Sequence, residues 1–216
     1  MLAGSVAAEP GAAGGIGGSL SFGRSDARLE DRDDVFVDLD TQTDAVGFGV
    51  AFDSNLAQDR LFNYRVVAGL DFVDQEIHQA GIENQVQGTS FFLDQTLGFG
   101  FIRTPAVRVY LGPSLHLGVG EIDDHIDVDG FRADYEETSF TAAIGPELGV
   151  NFHVGRHLTF STSTFVRYGV RVQDFDTFFD DRGSDGVFTG DEIQAGIRTS
   201  IFFRFGRDAY DPRFVH

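Results

Sequence analysis

Along residues 107–120, VRVYLGPSLHLGVG, every odd position from Val107 to Val119 is apolar. The even positions carry Arg108, Tyr110, Gly112, Ser114, His116, Gly118 and Gly120. Successive side chains of a strand point to opposite faces, so this segment has one hydrocarbon face and one face of small and polar groups. Seven further segments repeat the pattern, near 16–23, 46–52, 62–72, 93–101, 140–152, 158–171 and 193–205. Period two holds throughout and no helical period competes with it. The alternation predicts an all-β protein of eight antiparallel strands.

Two closed arrangements fit eight such strands. A soluble barrel turns its apolar face inward, and a membrane barrel turns it toward lipid. Volume decides between them. An eight-stranded barrel has room inside for a packed set of side chains or one small ligand, and the apolar parity carries about forty large residues. The opposite parity is mostly Gly, Ser, Ala and Thr and fits. That small face also holds Arg65, Arg108, Arg167, Arg171, Arg198, Arg204, His116, Asp71, Asp94 and Glu147. Opposite charges enclosed together can pair, which makes their burial tolerable. The sequence therefore predicts an up-and-down transmembrane β-barrel with this charge network in its lumen, and a closed sheet leaves no unpaired edge in lipid.

Charge is unevenly spread between the strands. The connections at 53–61, 103–106 and 153–156 are short, and those at 25–44, 74–88, 121–138 and 172–192 are long. The four long ones hold 26 acids against 4 arginines, net −22, within a chain of net −18. The acidity thus belongs to one end of the molecule. All 16 basic residues are arginine, and a chain so acidic repels nucleic acid phosphates. Cysteine is absent, which excludes disulfides and thiolate metal sites. No run of apolar residues is long enough for a membrane helix. Residues 1–13 read as a leader in which SVAA before Glu9 is either the tail of a signal peptide or part of a flexible Ala/Gly-rich segment. The barrel is expected over 14–206 and a tail over 207–216, RDAYDPRFVH.

YLGPSLHLGVG (110–120) and AIGPELGVNF (143–152) each place G-P-x-L inside a strand, and IQAGIRTSIFFRFG ends in alternating bulky residues up to Phe205. In these features the chain resembles small bacterial outer-membrane barrels of the OmpA transmembrane-domain, OmpX and OmpW kind. The resemblance implies residence in a bacterial outer membrane, short turns and both termini in the periplasm, and long loops outside the cell. With no tryptophan in the chain, Tyr64, Tyr168 and the phenylalanines are left to form the aromatic girdles.

Two acidic stretches come within one residue of the calcium-loop pattern D-x-[DN]-x-[DN]-G-x5-E. In DRGSDGVFTGDE (181–192) the ligands would be Asp181, Asp185 and Glu192, and in HIDVDGFRADYE (125–136) they would be Asp127, Asp129 and Glu136. Calcium takes six to eight oxygens, and the glycine permits the sharp turn. Diffuse binding of divalent cations along the acidic rim is the competing expectation, and calcium is the one cofactor the sequence raises. Catalysis has little support: Ser114 and His116 lack a third member of a triad, and the lipid-facing parity offers only Thr162 and Thr164. The expected function is a non-enzymatic barrel with a polar lumen and acidic outer loops that contact ions, envelope lipid or a surface partner. A narrow cation-preferring channel and a building block of a surface assembly, including a homo-oligomer, are the alternatives.

Overall fold

A computed structural model describes residues 14–31, 38–56, 61–79, 82–104, 106–128, 131–154, 157–179 and 182–205. The leader 1–13 and the tail 207–216 lie outside the described residues. The described residues form eight strands, β1 (Gly14–Asp31), β2 (Asp38–Asp53), β3 (Phe62–Gln79), β4 (Ile82–Arg103), β5 (Val107–Val128), β6 (Phe131–Val154), β7 (Leu158–Phe179) and β8 (Arg182–Phe205). Each pairs antiparallel with its sequence neighbours, and β1 pairs with β8 from Gly14↔Phe205 to Asp31↔Phe188, which closes the barrel. Among the described residues no helix is long and apolar enough to cross a membrane.

The apolar parity faces outward. Phe48, Leu70, Phe91, Leu111, Ile144, Val166, Ile197 and Phe203 are all exposed, and together with their neighbours they make a belt around the wall. Phe48 meets Phe72 edge to face, and Phe62 meets Phe99 likewise, with ring centroids 6.3 and 5.8 Å apart. An apolar surface this continuous has no place in water and matches the hydrocarbon layer.

The long acidic connections expected at 25–44, 74–88, 121–138 and 172–192 are not loops over most of their length. They are strand. β6 and β8 reach 24 residues, whereas a tilted crossing of the membrane needs about 9–11. The ladders therefore continue well past the belt, and the surplus stands clear of the membrane.

In that outer section the polarity inverts without any change of parity. Outward positions become charged: on β5 the row Leu117, Val119 is followed by Glu121, Asp123 and His125. Inward positions become apolar: Leu29, Leu39, Ile77, Val86, Ile122, Tyr135 and Phe188 form a buried cluster, with Ile126 and Phe175 packed on it. A section with water outside needs an apolar interior, and a section with lipid outside does not; the switch marks where lipid ends.

Pro113 and Pro146 stand opposite one another in β5 and β6. Proline has no N–H to give to a ladder. Pairing accordingly skips from Thr96↔Ser114 to Phe99↔Leu111 between β4 and β5, and from Ile144↔Tyr168 to Glu147↔Phe165 between β6 and β7. The two G-P steps seen in the sequence are thus the places where the wall is least stitched. β4 also carries an irregularity between Gly100 and Ile102.

Candidate functional site

Inward side chains fill the lumen in layers. In the layer nearest the short turns, Arg65 is held on every side. It pairs with Asp53 (Nη2–Oδ2 2.9 Å), donates from Nη1 to Tyr110 Oη and Ser161 Oγ (2.8 Å each), and donates from Nη2 to Asn151 Oδ1 (3.0 Å). Its guanidinium lies 5.1 Å from the Tyr110 ring centre and 4.9 Å from that of Phe202. A cation stacked between rings and fully hydrogen-bonded is a tolerable buried charge. Arg108 is buried in the same region, and its Nη2 donates to the Leu61 carbonyl at 3.2 Å. Arg204 is buried close to the strand end.

The middle layer is centred on Asp94. Its Oδ1 accepts from His116 Nδ1 (2.7 Å) and Arg167 Nη1 (3.0 Å), and its Oδ2 takes Arg198 Nη2. Arg167 also reaches Glu147 (3.7 Å) and stands 4.0 Å from the Phe165 ring centre. Glu147 accepts from Thr96 Oγ1 at 2.8 Å and from Tyr110 Oη at 3.3 Å, so Tyr110 links the two layers. The third layer gathers on Glu137, which accepts from Gln75, Gln173 and Tyr135 (2.8, 2.6 and 2.8 Å) and pairs with Arg171 (3.0 Å). Burial and the Glu137 carboxylate push the Tyr135 phenol above its ordinary range, so it remains a donor. Above this layer lies the apolar cluster.

All ten lumen residues expected from the sequence point inward, and nine are held in or beside these layers. Asp71 is half-buried between the second and third. What the sequence reading missed is the carboxylates Asp53 and Glu137, and the inward rings Phe92, Phe165 and Phe202, which lie on the small-residue parity as isolated exceptions.

Tyr110 fits because Gly98 and Gly149 flank it. A Cβ at Gly98 would lie 2.8 Å from Tyr110 Cδ2, and one at Gly149 would run into the ring and hydroxyl. Gly149→Val is expected to displace Tyr110 from Arg65 and Glu147 and to lower stability by about 1–3 kcal/mol, the usual range for overpacking. A urea titration of the protein in detergent checks this, and an unchanged midpoint contradicts it.

Among the described residues, neither calcium pattern is gathered into a loop. Asp129 and Asp181 lie outside the described residues, as do the side chains of Asp127 and Asp185. The described backbones of both stretches, 125–128 with 131–136 and 182–192, are drawn out as strand. Residue 185 pairs with Asp176 while Glu192 pairs with Gly169, seven places along β8, or about 23 Å at about 3.3 Å per residue. Glu192 is buried in the lumen, 2% exposed. In the other stretch Asp127 pairs with Arg132, and exposed Glu136 pairs with Asp123 four rows lower, about 13 Å away. Glu192 and Glu136 thus stand well away along their ladders from residues 185 and 127, the other ligand positions whose backbones are described.

The outward acids form a collar instead. Arg24 pairs in register with Asp44, Asp44 with Asp74, and Glu121 with Thr138, directly above the belt. Further out, one ligand atom each from Glu76, His78 and Glu83 lie within 4.8 Å of one another. Ser114 Oγ accepts from Arg167 Nε and Nη2 (2.9 and 2.6 Å), and His116 is turned to Asp94, so Ser114 and His116 do not form a nucleophile–base pair.

No family model and no curated protein sequence matches the chain. Solved structures match its fold. The outer membrane protein OprG of Pseudomonas aeruginosa is 10% identical with a TM-score of 0.64, over 91% of this chain and 97% of that one. The outer membrane protein AlkL, solved in lipid bilayers, is 14% identical with a TM-score of 0.52, over 92% and 93%. A major outer membrane protein of Thermus thermophilus is 13% identical with a TM-score of 0.50, over 87% and 99%. Belt, closure and layered lumen together make this chain a closed eight-stranded β-barrel with the fold of small bacterial outer-membrane proteins.

Proposed function

We propose that the protein is a non-enzymatic, non-conducting barrel of the bacterial outer membrane whose acidic collar binds divalent cations and, through them, the phosphates of envelope lipid. The observation that carries this reading is the inversion of polarity. Carboxylates such as Asp44, Asp74 and Glu121 begin where the belt ends, at the depth of lipid headgroups. A bare carboxylate repels a phosphate, and a divalent cation between them removes the repulsion. Glu76, His78 and Glu83 offer a further set of donors on the same wall.

Three hydrogen-bonded layers and an apolar cluster fill the lumen, which favours a sealed barrel over the alternative of a narrow cation-preferring pore. Two neighbouring cavities of about 80 Å3 each, with Asp71 and His116 in both linings, favour the pore, but side-chain layers lie on both sides of them. Reconstituted in planar bilayers, the protein is expected to show no steady conductance; large, lasting openings would sink the sealed-lumen reading.

The collar is tested separately. Phosphorylated glycolipid should co-purify with the protein in magnesium and leave it in a chelator. The triple variant Asp44→Asn, Asp74→Asn, Glu121→Gln should retain little in either condition. Equal retention by variant and parent, indifferent to the chelator, overturns the cation bridge.

A further inference from the structure

Two acids of the lumen stand outside the ion pairs of the layers, although the charge of Asp71 is felt by His116, Arg198 and Arg167. Among the described residues below the apolar cluster, six arginines (Arg65, Arg108, Arg167, Arg171, Arg198, Arg204) and six acids (Asp53, Asp71, Asp94, Glu137, Glu147, Glu192) face inward; Asp124, farther out opposite Tyr135, accepts from the Gln87 and His125 amides. Asp53 pairs with Arg65, Asp94 with Arg167 and Arg198, Glu147 with Arg167, and Glu137 with Arg171. Among the described residues, Asp71 and Glu192 form no ion pair within 4.0 Å. Both line the upper of the two neighbouring cavities, between the Asp94 layer and the Glu137 layer.

We propose that this upper chamber is an occluded site for one hard divalent cation, held between Asp71 and Glu192. Glu192 is 2% exposed, and its Oε2, shut off from solvent, has no hydrogen-bond partner among the described residues. A buried carboxylate oxygen left without a partner is costly, and a cation satisfies it. Hydroxyls of Ser25, Thr43, Ser139 and Thr141 line the same cavity and supply neutral oxygens. Oxygen donors with two negative charges match a hard ion of charge two. A cavity of about 80 Å3 exceeds a bare ion, so the ion keeps part of its water. Arg171 also lines the chamber, but its charge is engaged by Glu137 and its Nη2 donates to Gln75 Oε1. This site differs from both calcium patterns in the sequence. It uses Glu192 with a residue of β3 rather than with its own loop.

The test is calcium titration of the full chain in detergent micelles, with magnesium and sodium as competitors. One tight calcium per chain is expected, magnesium displacing it and sodium not, over a background of weak collar binding. Glu192→Gln and Asp71→Asn should each weaken the tight site about tenfold or more, because each removes one ligand charge. The collar double variant Asp44→Asn, Asp74→Asn, which leaves Glu121 of the chamber lining unchanged, should keep the tight site while losing lipid, which separates this inference from the collar reading. A titration without a tight class, or Glu192→Gln and Asp71→Asn titrating like the parent, overturns the proposal. Should either variant fail to fold, terbium luminescence of the parent decides. A long-lived component with few bound waters supports the chamber, and a single fully hydrated class refutes it.

Discussion

Asp94→Ala is expected to cost about 3–5 kcal/mol, the range seen when one partner of a buried ion pair is removed. Asp94 is the shared acceptor for Arg167, Arg198 and His116, and both guanidiniums are buried. Arg167 keeps Glu147 and Ser114 after the change. Arg198 keeps ring faces, with Phe165 and Phe92 centred 5.6 and 6.0 Å away, and the longer-range charge of Asp71, and its Nε and Nη1 already have no partner among the described residues. The loss therefore falls mainly on Arg198. Asp94→Ala/Arg198→Met should recover a good part of it, since charge and counter-charge leave together. Urea titrations of the single and double variants in detergent check both statements. A single variant within about 1 kcal/mol of the parent would show that the layer is not held by charge.

The second large effect lies on the outer wall. Ile144→Arg places a guanidinium at an outward position that is 59% exposed, inside the belt and next to Pro146. On the lipid face near the midplane such a change is worth about 2–4 kcal/mol, falling toward zero at the interface. Thr138→Arg, six residues along the same strand and facing the same way, stands at the collar and should change stability by less than about 0.5 kcal/mol. The contrast is measured by equilibrium folding into lipid vesicles. Equal penalties at the two positions would mean that the belt does not end where the polarity inverts.

Much of this was legible before any coordinates. Strict alternation gave the eight strands, and the mismatch of bulk between the two parities gave their orientation. The ten lumen positions followed from parity alone. Their pairing did not follow, because Asp94 meets Arg167 and Arg198 across separations of 73 and 104 residues, and only the register of a closed sheet brings them together. The outer half was misread for a physical reason. Stretches rich in Asp and Gly resemble loops, yet Ile122 and Ile126, against Glu121, Asp123 and His125, keep period two with the apolar side reversed, interrupted only at Asp124. The signal was present, but it has the phase of a strand in water. The same resemblance to loops produced the two calcium patterns, whose described residues lie in ladders.

The polarity inversion has a mechanical consequence. A barrel whose wall turns from phenyl rings to carboxylates within one or two rows has a fixed waterline. Sliding outward exposes the belt, and sinking inward buries charge, so either excursion is opposed steeply. In a bilayer thicker or thinner than the belt, the acyl chains must stretch or compress around the protein, because the protein has little freedom to ride up or down.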